Sequence, residues 1–441
     1  MTAPRLEIAS SESLPAEADA VVIGAGIVGS FAAYYLARAG LKVVLVEKGR
    51  VGAEQSSRNW GWCRQQNRDA RELPISTQSL ALWEEFQRET GEDAGFSRCG
   101  LTYLSDDPAE IEGWAAWVRF ARTLGVDSRT LSAAEATDRG RATGKAWKGG
   151  VFAPTDGTAD PSRAAPVVAR AAMRAGACVL QDCAARGLEV AAGRLAGVVT
   201  EHGTIRTPIA VMAGGAWASA FCRQSGLAFP QASIRSSILA VGPGAEGLPA
   251  ALHTRQVSAT RRADGGHTLA ISGLGRVDPT LQMLRYGRDF LPMFARRWRS
   301  LAPGGLQGVA SGHEGLGRWP LDRPTPMERM RILDPRPDRG TIAETLRRAG
   351  ALLPALKTAK VTAAWAGYID STPDGVPAMG EVAALPGLVL AAGFSGHGFG
   401  IGPGAGRLIA DLVLGRVPLV DPHPYRPDRF HGGQRLEVAK F

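Results

Sequence analysis

The 441-residue sequence predicts an α/β protein in which a parallel-sheet part is combined with an α+β part built on an antiparallel sheet. Three observations carry that expectation. Residues Asp19 to Glu47 read as strand, tight turn, helix and strand. Near the other end, the buried strand Gly387 to Ala392 runs through a glycine-rich passage into a helix from Arg407 to Leu414. Between them, Ser233 to Val241 and Gln256 to Ser272 alternate as antiparallel strands do.

In the first segment the apolar run Ala20-Val21-Val22-Ile23 leads into Gly24-Ala25-Gly26-Ile27-Val28-Gly29, followed by a helix over Ser30 to Ala39 and a strand over Leu41 to Val46. This is G-x-G-x-x-G in a strand-turn-helix context. Gly24 permits the sharp turn, Gly26 lets the backbone approach a pyrophosphate, and Gly29 lets helix lie against strand. Glu47, followed by Lys48, stands 23 positions after Gly24 at the end of the second strand, where a carboxylate can accept from ribose hydroxyls. The fingerprint alone does not choose between NAD and FAD. The next segment favours FAD: Ser56, Ser57 and Arg58 suit further pyrophosphate contacts, and Trp60-Gly61-Trp62 can lie along a planar ring. A helix follows from about Asp69 to Glu89.

Further on, Pro161 to Ala175 reads as an amphipathic helix before the strand Ala177 to Gln181, a crossover in a parallel sheet. The segment Arg285 to Arg299 mixes aromatics with Arg and reads either as an interfacial membrane segment or as a solvated helix pair broken at Pro292. In the passage Gly393 to Gly406 the density of glycine describes backbone pressed against a flat ligand, with a helix N-terminus aimed at it.

Composition bounds these readings. At 45% hydrophobic and 21% charged, the chain is neither disordered nor fibrous, and its length suits two to three domains' worth of chain. The five cysteines are odd in number and include no C-x-x-C pair, so a reducing compartment is expected. Seven histidines without an H-E-x-x-H pattern argue against a metal centre. No apolar run is long enough for a signal peptide or a span, which predicts a cytoplasmic protein, with peripheral contact on the inner face of a membrane left open. The net charge of +9 is concentrated: residues 251–350 hold 17 Arg, no Lys and 9 acids. With no recognised nucleic-acid module, a carboxylate substrate or an anionic membrane surface fits that surplus better than nucleic acid does.

The fingerprint, Ser56-Ser57-Arg58, the turn Ile209 to Trp217, Trp365-Ala366-Gly367 with Thr372-Pro373-Asp374, and the glycine passage fall in an order that resembles the D-amino-acid oxidase superfamily. That group includes glycine and sarcosine oxidases, D-amino-acid dehydrogenases and L-amino-acid deaminases. The resemblance implies a Rossmann-like FAD-binding domain over residues 1–90, 150–232 and 360–441, interleaved with a substrate domain over 91–149 and 233–359. It implies an FAD site lined by Gly24, Gly26, Ile27, Val28, Gly29, Glu47, Lys48, Ser56, Ser57, Arg58, Trp60, Gly61, Trp62, Ala185, Ala213, Gly214, Trp217, Gly393, Gly396, His397, Gly398, Phe399 and Gly400. The glycine passage carries no Cys and Val51 to Trp62 no His, the positions where relatives link their flavin, so the FAD is expected to be non-covalent.

The implied reaction is oxidation of an amino acid by hydride transfer from the substrate carbon to flavin N5, giving an imine that hydrolyses to a 2-oxo acid. An N-substituted or cyclic amino acid, such as an opine, is an alternative substrate, and a non-catalytic flavin-binding subunit of a hetero-oligomer is an alternative role. O2 or a quinone would take the electrons; oligomeric state is not predicted. The Arg that follows W-A-G in glycine oxidase-like proteins is missing here, so Arg276, before a helix as in the deaminases, is the expected carboxylate clamp. Arg64, Gln65 and Gln66 are candidates for the same pocket. His397 is expected to face substrate or the flavin edge, and Asp370 to pair with a second amine or an Arg.

Overall fold

A computed structural model describes residues 3–431 and 436–439. Its smaller main sheet has six strands in the order Ala378–Glu381, Leu388–Ala392, Ala210–Met212, Ala20–Ile23, Val43–Val46 and Cys178–Leu180. Five of them are parallel and the Ala378–Glu381 edge is antiparallel. The first two strands are four buried residues each, as expected for strands covered on both faces. One face is covered by the helices Ile27–Arg38, Leu73–Thr90, Ala164–Arg174 and Gly402–Val413. The opposite face packs against a three-stranded antiparallel sheet over residues 185–206 and the helix Ala218–Gln224.

The helix Gly402–Val413 begins five residues earlier than the sequence pattern suggests, inside the glycine passage. A Cβ on Gly406 would stand 2.4 Å from that of Phe31, and one on Gly404 2.4 Å from Ser79 Oγ. These glycines therefore serve close helix packing rather than ligand contact.

The larger sheet has ten strands and is mostly antiparallel. Its long pair is Ala232–Val241 against Val361–Ser371, in register from Ala232 opposite Ser371 to Val241 opposite Val361. Val361–Ser371 was expected in the nucleotide-binding part; it belongs to the larger sheet instead, because its partner is Ala232–Val241. The expected stretch Gln256 to Ser272 is an antiparallel hairpin of Ser258–Arg261 and His267–Ala270. The segment around Pro292 also departs from expectation: a single helix spans Leu281–Arg297. Proline removes one ladder hydrogen bond, and the helix runs on through it. Among the described residues, no helix is long and apolar enough to cross a membrane.

Candidate active site

Two adjoining cavities lie where the sheets meet. Gln55, Asn59, Gly396 and Phe399 line both. The first runs along the ends of the parallel strands, past Gly24, Gly26, Ile27, Val28, Glu47, Lys48, Ser56, Ala185, Ala213, Gly214 and Trp217, and reaches Gly396, Gly398 and Phe399. Its walls are mostly backbone at turns. Gly24 adopts φ +101°, and a Cβ there would stand 2.7 Å from the carbonyl oxygen of Ala213. Ile27 N–H, the first of its helix, donates to Ser56 Oγ at 2.9 Å. The Glu47 carboxylate accepts from the N–H groups of Ala25 and Gly49, both at 2.9 Å, and burial raises its pKa. Lys48 lies over the Trp217 ring at 4.8 Å and donates to the carbonyls of Met330 and Arg331. Gln55 Oε1 and Trp217 Nε1 are buried in this wall without partners. A cleft of this shape, with glycine at the closest approach, a carboxylate at one end and two unpaired polar atoms, fits a dinucleotide.

Several residues expected at the cofactor do other work. Gly29 lies under the turn, where a Cβ would meet Gly24 O at 2.0 Å. Ser57 Oγ donates to Glu54 O. Gly61, at φ +83°, passes Ala159 O so closely that a Cβ would stand 2.4 Å away. Gly393 donates its N–H to Asp370. Arg58 is 2% exposed and donates to Asp334 Oδ1 at 2.7 Å and to Ala366 O at 2.8 Å, so it ties segments together instead of waiting for phosphate. Trp60, Trp62, His397 and Gly400 line the second cavity, not the first.

The second cavity has a volume of about 440 Å³, within the usual range for small-molecule sites. The paired long strands divide it from the first. Along Val361–Ser371 side chains alternate: Tyr368 and Asp370 face the first cavity, Ile369 and Ser371 the second. Trp60, Ile234, Ile238, Ile271, Phe290 and Phe294 make most of the wall apolar.

Its polar groups come from a segment expected only in part. Arg68 is 3% exposed and lines the cavity, and its Nε and Nη1 have no partner. Burial and the neighbouring Arg64 lower its pKa to about 9. Arg64, four residues before it in sequence, donates to Tyr103 Oη at 3.2 Å and to Gln66 O. His397 places Nδ1 3.0 Å from both oxygens of Glu72, which is fully buried. Burial, then Arg68, lower the His397 pKa to about 4, so the ring is neutral at pH 7. Burial opposes the charge on Glu72, yet His397 and Arg68 hold its pKa below the ordinary value. Nδ1–H then donates to Glu72, and Nε2 is left as an acceptor.

Three catalytic expectations change. Arg276 lies outside both cavity walls, because Asp338 Oδ1 at 2.9 Å and the Pro303 carbonyl hold its guanidinium. Gln66 is buried behind the wall, accepting from Ser128 Oγ at 2.6 Å. Asp370 pairs with neither amine nor Arg. It accepts from the N–H groups of Gly393 and Phe394 at 2.8 and 3.3 Å, fixing the glycine loop, and burial raises its pKa to about 6. Arg68 and Glu72 were missed; their signal was a run of charge, Arg64 to Glu72, at the start of a helix beside the loop expected at the flavin.

The sequence matches the DAO family, FAD dependent oxidoreductase, over residues 19–412. It is 28% identical to glycine oxidase of Pseudomonas aeruginosa, covering 92% of this chain and 98% of that one. It is 27% identical to mitochondrial sarcosine dehydrogenase of Homo sapiens across 96% of this chain, but spans only 42% of that longer protein. In structure it is similar to the L-amino acid deaminase from Proteus vulgaris, with a TM-score of 0.90, 29% identity, and coverage of 96% of this chain and 100% of that one.

Proposed function

The chain belongs to the DAO family of FAD-dependent oxidoreductases, and from that premise we propose that it oxidises the C–N bond of an amino acid whose carboxylate is held by Arg68 and Arg64. The observation that carries this reading is the buried guanidinium of Arg68, whose Nε and Nη1 have no partner, in the cavity next to the cofactor cleft. Glu72 and Asp156 offset its charge only in part, two of its buried donors stay unpaired, and a bidentate carboxylate supplies the missing partner. The first cavity holds the FAD: Gly24 and Gly26 admit the pyrophosphate, Glu47 the ribose, and the loop from Gly396 to Phe399 the ring system. Bound FAD would supply the acceptor for the hydride that leaves the substrate carbon. Among the described residues no cysteine lines either cavity, which supports non-covalent binding.

Arg68 and Arg64 orient the substrate by its carboxylate. Trp60, Ile234, Ile369 and Phe399 exclude water, which strengthens every polar contact inside. His397 Nε2, with its ring fixed by Glu72, accepts a hydrogen bond from the amine and keeps its lone pair directed. Loss of hydride from carbon leaves a C=N bond; water then adds and splits it to a 2-oxo acid and an amine or ammonia. The volume and apolar wall favour a substrate larger than glycine or sarcosine.

The exposed face of the helix Leu281–Arg297 and the turn after it supports peripheral contact with an anionic membrane surface. Leu284 is 79% exposed and Trp298 54%, beside Arg285, Arg288 and Arg299. A quinone is then the favoured electron acceptor over O2, and the five unpaired cysteines suit the reducing cytoplasm. Anaerobic mixing of the yellow protein with D-, L- and N-substituted amino acids tests the core reading: bleaching by at least one is expected, and bleaching by none rejects catalysis. Reoxidation by O2 against a soluble quinone, followed by stopped flow, then assigns the acceptor.

A further inference from the structure

The substrate cavity carries more positive charge than one carboxylate uses. Arg58, Arg64, Arg68 and Arg297 line it, and among its described lining residues there is no Asp or Glu. Arg58 is committed to Asp334. Arg68 is offset in part by Glu72 and Asp156, which stand behind it. Arg297 is different. It ends the helix Leu281–Arg297, which also places Met283, Phe290, Leu291 and Phe294 in the cavity wall. No ion pair or hydrogen bond is made by its guanidinium among the described residues, and it sits at the rim. Arg297 as a residue is solvent-exposed, and partial desolvation, then Arg296 and Arg64, lower its pKa. Arg64 acts on both Arg68 and Arg297, and all three line the same cavity.

We propose that Arg297 is a second anion site and that the substrate is a dicarboxylate amine, with one carboxylate on Arg68 and Arg64 and the other on Arg297 across an apolar middle. This rests on the reading of Arg68 as the first carboxylate anchor. The chemical class is an amino acid bearing a further carboxylate, either at the end of its side chain or on a substituent of the nitrogen. The chemistry at the C–N bond is unchanged; the second carboxylate selects and aligns. Of the 17 arginines in residues 251–350, Arg297 alone lines this cavity, so the charge surplus of that stretch reaches the substrate at one point.

The test titrates the FAD-loaded protein with linear dicarboxylates from succinate to suberate, each against the monocarboxylate of equal chain length. The readout is perturbation of the flavin absorbance, which needs no turnover. At one or more lengths the dicarboxylate should bind about ten- to a hundredfold tighter, the range of a charge-assisted contact. Arg297→Gln should bring that ratio to about one, and Arg297→Lys should restore part of it. Equal binding of both classes at every length overturns the second site, as does a preference that survives Arg297→Gln. Binding of the monocarboxylates that is unchanged in Arg68→Gln overturns the Arg68 reading itself and is distinguishable from both.

Discussion

The two cavities share four residues and little of their construction. The cofactor cleft is made of turns: the backbone at Gly24, Gly26, Ala213, Gly214 and Gly398 sets its shape, and side chains such as Glu47 and Ser56 mostly brace that backbone. The substrate cavity is made of side chains gathered from segments near residues 60, 235, 272, 290, 369 and 397. A cleft built from backbone breaks when a Cβ is added. A cavity built from side chains changes its preference when one is exchanged, and the fold survives.

The largest effect should come from Gly24→Ala. It combines a φ of +101° with a 2.7 Å approach to the Ala213 carbonyl, so a loss of about 2–5 kcal/mol and of most bound FAD is expected in thermal melts and flavin content. An alanine variant that retains its FAD would break the comparison. Next comes Arg68→Gln: kcat/KM for a carboxylate substrate should fall about a hundredfold or more, while an amine lacking the carboxylate is little affected. Because this removes a buried cation with unpaired donors, the variant should melt no lower than the parent. A large fall in melting temperature would mean that Arg68 is structural.

Asp370→Asn tests the wall between the cavities. The Asp370 carboxyl is raised to about 6 in the fold from an ordinary 3.8, so the folded state favours its protonated form. That contribution is fully present below the ordinary value and is lost as pH rises through about 6. The stability of the Asn variant relative to the parent should therefore grow from pH 4 to about 6 and then level, by on the order of 2–3 kcal/mol. Denaturant melts of both proteins across that range measure it; a pH-independent difference would count against a raised Asp370. The smallest effect is expected from Arg276→Gln. Its ion pair with Asp338 is partly exposed and outside both cavities, so less than about 1 kcal/mol and unchanged steady-state constants are expected.

The same division explains what could be read in advance. Gly24, Gly26 and Glu47 are spaced by local backbone geometry, which a linear sequence records directly. The packing glycines Gly404 and Gly406 look identical in sequence to the cavity-lining Gly396 and Gly398, because which surface a glycine meets depends on helices elsewhere. Arg276 and Arg297 are both arginines near the end of an element in a basic stretch. Asp338 pairs with one, and among the described residues no acid pairs with the other, a difference set by tertiary pairing alone. Arg68 was hidden for a related reason: its distinction is two buried donors left unpaired.

The strand Val361–Ser371 carries a consequence for redesign. Its side chains at 368 and 370 belong to the cofactor side and those at 369 and 371 to the substrate side, so one ribbon of backbone is the party wall of both rooms. Substitutions at Ser371 can retune substrate scope without reaching the cofactor side, whereas Ile369 already packs beside Gly396, which lines both cavities. A single inserted or deleted residue before Ile369 disturbs both sides, because it turns the ribbon over and sends Asp370 into the substrate room and Ile369 into the cofactor cleft. Diversification at this wall is confined to exchanges at fixed length, and libraries built on it should vary letters and never their number.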